Sequence, residues 1–309
     1  MNKNATCDDF SMNKLNITSC PSCNGNHIKP LMTCTDYYAT KETFELYRCD
    51  DCGFTFTQNF PDESEIGRYY ASPDYISHSD TRKGAMNTIY HWIRSYMLKR
   101  KAKLIERECG RGNGHLLDIG TGTGYFPHTM QQRGWDVDAT EKNAPAREFA
   151  EQHFGLKVRE DSAFAQLTPA SYDAITLWHV MEHLEHLDET WSQLAKLLKP
   201  DGILVIAVPN CSSYDARIYQ SEWAAYDVPR HLWHFTPATI VPFGERHGFR
   251  LASLHPMPFD AYYVSILSEK HLNHSAAFLR GMWKGFQAQL HTCGHKELSS
   301  SIIYIFRKK

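Results

Sequence analysis

The chain has 309 residues, room for one large domain and a small one, because single cores seldom grow past about 250–300 residues. Hydrophobic residues make up 42% and charged residues 22%, the balance of an ordinary soluble globular protein, and a formal net charge of −2 gives no overall pull toward phosphate backbones or anionic membranes. Neither nucleic acid nor membrane is therefore expected as a partner. The N-terminus lacks the apolar core of a signal peptide, and the longest strongly apolar run, Ile203–Val208, is too short to span a bilayer.

In chain order, residues 1–19 read as a polar tail. Residues 20–57 hold two Cys-x-x-Cys pairs and short alternating stretches such as Thr43–Tyr47, which predict small strands. A connector at Pro61–Glu65 leads to an aromatic segment containing Tyr69, Tyr70 and Tyr75, which are expected to sit as a lid over a cofactor. From about 82 to 108, apolar residues at three- and four-residue spacing predict one long amphipathic helix. Strands are then expected at His115–Ile119, Trp135–Thr140, Leu156–Arg159, Ala174–Trp178 and Ile203–Val208, and further strands at Arg250–His255 and Ile302–Arg307. Helices fill the gaps, notably Pro145–His153 before Gly155 and Leu184–Leu198 before Lys199–Gly202. This alternation predicts an α/β fold: a doubly wound, seven-stranded, mostly parallel sheet with a small N-terminal zinc-binding module. The expected layout is a tail and four-cysteine module over 1–60, a linker with N-terminal helices over 61–110, and the main domain over 111–309 with a helical insertion at about 258–298.

The strand at His115 ends in Asp118 and runs into Gly120, Gly122 and Gly124, followed by Tyr125 and Phe126 at the start of a helix. Glycines at alternate positions let the backbone turn tightly and lie against a ligand, and the helix N-terminus offers free N–H groups. A nicotinamide-binding loop would place its third glycine one residue later, and an acid two residues before the first glycine suits a ligand with an ammonium group. Glu141 closes the next strand, where a carboxylate can accept two ribose hydroxyls, and Lys142 follows it. Asp161 follows the third strand beside Ser162, in reach of an adenine amino group.

These residues resemble the class I S-adenosylmethionine-dependent methyltransferases. The resemblance continues through the segment from Asp173 to Leu184 and through Leu198–Ile206, and it covers roughly residues 82–255. It implies that Asp118 and the loop Gly120-Thr121-Gly122-Thr123-Gly124 hold the methionine part, that the next two strand ends hold ribose and adenine, and that Trp178 and His179 lie near the sulfonium.

His179, Glu182 and His183 form His-x-x-Glu-His, which elsewhere marks a metalloprotease helix. Here it follows a predicted parallel strand, so other uses are weighed. The residues can cap the strand, or His179 or His183 can be a general base for an acceptor hydroxyl. In a further reading Glu182 and His183 ligate a divalent metal with His231 or His234, as similar clusters do in some methyltransferases of small RNA and of quinone pathways. Trp223, Tyr226, Arg230, His231 and His234 precede a helix begun at Thr236-Pro237 and are expected to face the acceptor, with His231 as a further candidate base.

Cys20, Cys23, Cys49 and Cys52 form two hooks that bring four thiolates around a structural zinc ion. Four of nine cysteines in such pairs fit a reducing, cytoplasmic setting better than a disulfide framework. The resulting expectation is O-methylation of a small-molecule or glycan acceptor with S-adenosylmethionine. An RNA-directed 2′-O-methyltransferase, a zinc-ribbon adaptor with a methyltransferase-like domain, and a nicotinamide oxidoreductase are the competing readings.

Overall fold

The computed structural model describes residues 14–70 and 85–309; Tyr75 lies outside the described residues. The N-terminal part contains β1 (Lys14–Leu15), β2 (Ile28–Thr35), β3 (Thr43–Cys49), β4 (Thr55–Thr57) and β5 (Phe60–Pro61), then the single turn α1 (Gly67–Tyr70). In β3, Phe44 and Leu46 are buried while Thr43 and Glu45 are exposed, the period-two pattern of a one-sided strand.

The main domain opens with α2 (Ala85–Cys109), β6 (His115–Ile119), α3 (Tyr125–Gln131), β7 (Asp136–Thr140), α4 (Ala144–Phe154), β8 (Val158–Arg159) and β9 (Tyr172–Trp178). It continues with α5 (Leu187–Leu197), β10 (Leu198–Pro209), α6 (Tyr214–Tyr219), β11 (Trp233–His234), α7 (Pro237–Arg246), β12 (Phe249–Pro256), α8 (Asp260–His271), α9 (Ala277–Thr292) and β13 (Ser301–Lys308). Local signals set several of these limits. Asn143 caps α4 by accepting the Ala146 N–H at 3.0 Å, and Gly155 ends the helix at φ 63°. The helix expected to stop before Lys199–Gly202 ends at Leu197, and β10 starts irregularly there, with the register on β9 shifting between Leu198 and Ile203.

Seven strands form one sheet in the order β12–β13–β10–β9–β6–β7–β8, with β13 antiparallel to both neighbours and the pairs from β10 to β8 parallel. Strand β10 shows why both faces carry helices. Ile203, Val205 and Ala207 pack with Ala102 and Ile105 of α2 and Phe126 of α3, whereas Leu204, Ile206 and Val208 pack with Trp191 of α5 and Phe243 of α7. The chain steps outward from β6 to β8, then returns to the other side of β6 with β9, so a crevice opens at the carboxyl ends of β6 and β9.

A second sheet crosses from the N-terminal part into the main domain. Its order is β11–β4–β3–β2, with Trp233 opposite Phe56 and His234 opposite Thr55. Phe54, Phe56 and Phe60 share one apolar core with Trp233 and Phe235.

Candidate functional site

Asp118 ends β6 in a buried position, where its carboxylate accepts the Thr121 hydroxyl at 2.7 Å and the Thr176 hydroxyl of β9 at 2.5 Å. Burial pushes it up to about 6 despite those two donors. The glycines that follow divide into two kinds. A Cβ on Gly120 would meet Val180 at 2.5 Å and one on Gly124 would meet Ala150 and Leu156 at 2.8 Å, so these two serve close packing. Gly122, at φ +56°, has no atom within 4 Å of where its Cβ would project, leaving open space beside the loop.

Glu141 accepts the Gly122 N–H at 2.7 Å and the Asn143 N–H at 2.9 Å, tying the first glycine loop to the start of α4. Asp161 is held up by burial and by the nearby charge of Glu141, and its buried Oδ1 has no hydrogen-bond partner. The three strand-end acids thus lie at the ends of adjacent strands β6, β7 and β8. Ser162 is exposed in the turn after Asp161, and exposed Lys142 faces Glu63 at 3.5 Å. Phe126 meets Trp178 edge to face at 5.3 Å, the Lys101 ammonium lies 4.1 Å above the Trp178 ring, and Arg94 covers Tyr125 at 3.9 Å. Burial depresses Lys101 to about 8. The open face at Gly122, the unpartnered Asp161 oxygen and the half-buried Trp178 suit an elongated ligand with an amino-bearing ring at one end.

At the end of β9 the backbone enters the left-handed region at His179, φ 57°, which costs a side-chain-bearing residue about 1–3 kcal/mol. The ring lies between two carboxylates, with Nε2 3.3 Å from Asp260 of α8 and Nδ1 3.4 Å from Glu182. Burial alone would lower His179, but Asp260 and Glu182 outweigh it and raise it to about 9. At neutral pH it is a cation and a poor proton acceptor.

His183 is the opposite case, lowered to about 4 by burial and by His231, whose ring centre is 4.6 Å away. Its Nδ1 lies 2.9 Å from the Arg230 carbonyl and 3.1 Å from the Tyr70 hydroxyl. The Nδ1 of His231 lies 2.8 Å from the Ala225 carbonyl. A carbonyl can only accept, so each ring carries its proton on Nδ1 and a neutral ring keeps a lone pair on Nε2. Glu182 beside them is fully buried, and neither of its oxygens has a hydrogen-bond partner. Glu182, His183 and His231 can bring one ligand atom each within 4.8 Å of one another. His234 is not in that group.

The remaining residues expected to face the acceptor are committed to packing, which corrects that expectation for four of them. Arg230 is buried, with its guanidinium on Asp227 at 3.0 Å, Asp36 at 3.0 Å and the Tyr69 carbonyl at 2.8 Å. Buried Trp223 donates to Asp215 at 2.8 Å and stacks edge-on with Tyr226 at 5.1 Å. Tyr226 is buried and meets the His234 ring at 5.1 Å; His234 is 3.1 Å from the Thr57 hydroxyl and driven down to about 3 by burial. A guanidinium with every face occupied has nothing left for a substrate. Asp260 and Lys101 were not anticipated as part of the site, because neither stands in a local motif.

The four paired cysteines are free thiols gathered in one place, with Cys20 Sγ 3.6 Å from Cys52 Sγ and Cys23 Sγ 3.6 Å from Cys49 Sγ. A tetrahedron with arms of about 2.3 Å has edges of about 3.8 Å, so the spacing fits a tetrahedral metal site. Among the described residues no helix is long and apolar enough to cross a membrane.

Residues 90–254 match the family model described as "Methyltransferase domain", more than half of the chain. The chain is 25% identical over 169 residues to the ubiquinone biosynthesis O-methyltransferase of Azoarcus sp. (strain BH72), spanning 50% of this chain and 72% of that protein. It is 26% identical over 181 residues to the protein of the same name from Pelagibacter ubique (strain HTCC1062), spanning 54% and 75%. Among solved structures, a SAM dependent methyltransferase from Archaeoglobus fulgidus aligns at a TM-score of 0.47 with 20% identity, covering 68% of this chain and 94% of that one.

Proposed function

The chain belongs to the methyltransferase family and takes its methyl group from S-adenosylmethionine, and on that premise we propose that it methylates a hydroxyl of a small-molecule or glycan acceptor. The curated relatives named above are O-methyltransferases acting in ubiquinone biosynthesis, which supports an oxygen acceptor. The observation that carries the reading is the pair of histidines, His183 and His231, whose Nδ1 atoms face backbone carbonyls so that Nε2 is the atom left to face an acceptor, beside the crevice at the end of β9.

Bound cofactor supplies an electrophilic methyl group on a sulfonium. The chain's own part is to hold it and to place the acceptor in line. Asp118, Glu141 and Asp161 are assigned to its amino, ribose and adenine ends, with the Gly122 backbone alongside. An acceptor hydroxyl set against His183 would give its proton to Nε2 as its oxygen displaced the cofactor's thioether from the methyl carbon, the O–C bond forming as the S–C bond broke. The products would be an ether, the demethylated cofactor and a protonated histidine that returns its proton to solvent. Holding the two reactants in line can contribute about 7–11 kcal/mol and carries most of the rate, since a histidine lowered to about 4 is a weak base. Cationic His179, clamped by Asp260 and Glu182, fixes the strand end rather than taking the proton.

A second reading is favoured by Glu182. Its charge is countered by His179 at 3.4 Å, but neither oxygen of this fully buried carboxylate makes a well-formed hydrogen bond, and a divalent cation on Glu182, His183 and His231 would fill that place. Calorimetric titration of S-adenosylmethionine against wild type, Asp118→Ala and Glu141→Ala tests the cofactor site. Micromolar binding lost in both variants supports it, and absent binding to folded wild type sinks it. Turnover with and without a chelator then separates base from metal, since undiminished turnover removes the metal reading.

The N-terminal cysteines are assigned a structural zinc, and residues 1–60, 61–110 and 111–309 are proposed as module, connector and catalytic domain. Pairing of β4 with β11 gives the module its role: it braces the segment that delivers His231.

A further inference from the structure

The helical insertion carries an apolar surface that no part of the described protein covers. Leu279 is 69% exposed, Trp283 59%, Leu290 54% and Phe278 50%, with Met282 and Phe286 also open to solvent. These positions fall on one side of α9 because the other side is pressed against α8. A Cβ on Gly281 would meet the Ile266 backbone at 2.4 Å and one on Gly285 the Tyr262 backbone at 2.5 Å, so the glycine side is the contact and the bulky side faces out. Isolated exposed leucines need no explanation, but a contiguous aromatic and aliphatic stripe of this length does.

The surface extends onto α2. Trp92 is 66% exposed and stacks on Tyr96 at 5.9 Å, and Tyr96 meets Phe259, at the head of α8, at 6.1 Å. Lys99, Arg100 and Lys103 continue along the same side of α2, seven, eight and eleven residues after Trp92, and are exposed.

Charge around the stripe is mainly positive. Exposed Lys270 and Arg280 and half-buried Lys284 belong to the hairpin, and between residues 261 and 296 the single carboxylate is Glu269, which is buried on Arg280 and His274. Residues 85–105 contain no acid. The chain as a whole carries −2, so this is a local segregation of cations beside exposed tryptophan, phenylalanine and leucine.

We propose that the α8–α9 hairpin and the adjoining side of α2 form a docking surface for an anionic lipid bilayer, with the apolar stripe in the headgroup boundary and the cations on lipid phosphates. A second copy of the chain fits less well, because a two-fold contact through this face would set its cations against one another. Peripheral docking differs from spanning a membrane, and it goes beyond the expectation of no membrane partner, which rested on net charge and on the lack of an apolar run long enough to span a bilayer.

Full-length protein is sedimented with vesicles of phosphatidylcholine alone and of phosphatidylcholine mixed with phosphatidylglycerol. The expected result is retention on the anionic vesicles that salt weakens. Leu279→Ser with Trp283→Ser should lower that retention about tenfold or more, and Lys270→Ala with Lys284→Ala should lower it about fivefold per cation. Unchanged S-adenosylmethionine affinity in these variants shows that they fold. Failure of wild type to pellet with anionic vesicles, or equal retention of all variants, overturns the proposal. So does a dimer in sedimentation equilibrium that the Leu279/Trp283 variant dissolves, which assigns the face to a second copy.

Discussion

Arg230 and Asp36 meet at 3.0 Å with neither side chain exposed to solvent, although 194 positions separate them. Asp36 turns the β2–β3 hairpin, where its carboxylate also accepts the Thr40 N–H at 2.7 Å, and Arg230 immediately precedes His231. The ion pair therefore joins the tip of the N-terminal module to the backbone of the candidate catalytic loop.

Removing Arg230 leaves the carboxylates of both Asp36 and Asp227 without their cation, and stranding a buried charge typically costs about 3–5 kcal/mol, whereas removing Asp36 leaves Arg230 still paired with Asp227. Arg230→Met should therefore lower stability by about that much or more, and Asp36→Ala by less. The double variant Asp36→Leu with Arg230→Met is expected to lose less than the two singles added together. Additive losses, measured by denaturant titration, would show that the two residues act separately.

Stripping the zinc assigned to Cys20, Cys23, Cys49 and Cys52 should unfold the module and release its neighbour. The Thr57 N–H donates to the Leu232 carbonyl at 2.9 Å, and His234 leans on the Thr57 hydroxyl. Hydrogen exchange is therefore predicted to speed up across residues 231–235 as well as 43–57 after chelation, with β6 and β9 unaffected. Acceleration confined to the module would refute the brace.

Gly120→Ala and Gly122→Ala should fail in different ways. Both positions are left-handed, at φ 65° and 56°, so each pays about 1–2 kcal/mol of backbone strain. Only the Gly120 variant also collides, with Val180, and it should lose markedly more thermal stability. The Gly122 variant projects into open space and should lose cofactor affinity out of proportion to its stability, as calorimetry against thermal melts would show.

Asp173, at the start of β9, accepts the His115 N–H, Arg111 and Lys199, each at 2.8 Å. Burial opposes its charge, but those donors outweigh it and hold its carboxyl below the usual range. A depressed folded value means stability that is present above the unfolded value of about 3.9 and is lost as pH falls through the folded one. Asp173→Asn should therefore destabilise the protein at pH 7 and flatten the acid limb of its stability curve. An acid limb as steep as that of wild type would rule Asp173 out as a contributor.

What was legible in the sequence was what one local stretch encodes. The alternation of strands and helices, the glycine loop and both cysteine hooks each depend on residues within a few positions, and the sheet and thiol cluster follow them. The acceptor loop was misread because Arg, His and aromatic residues look alike whether they await a ligand or hold two segments together. Only the fold brings Asp36 to Arg230, Thr57 to His234 and Asp260 to His179.

The shared edge between β4 and β11 bears on how such proteins can be recombined. A graft that exchanged residues 1–60 between homologues would leave Trp233 and His234 facing a foreign strand, and Phe54 and Phe60 without the indole they enclose. The interchangeable cassette is two stretches far apart in the gene, the cysteine-bearing head and the segment around 223–236. A chimera that moves both together keeps its seam intact.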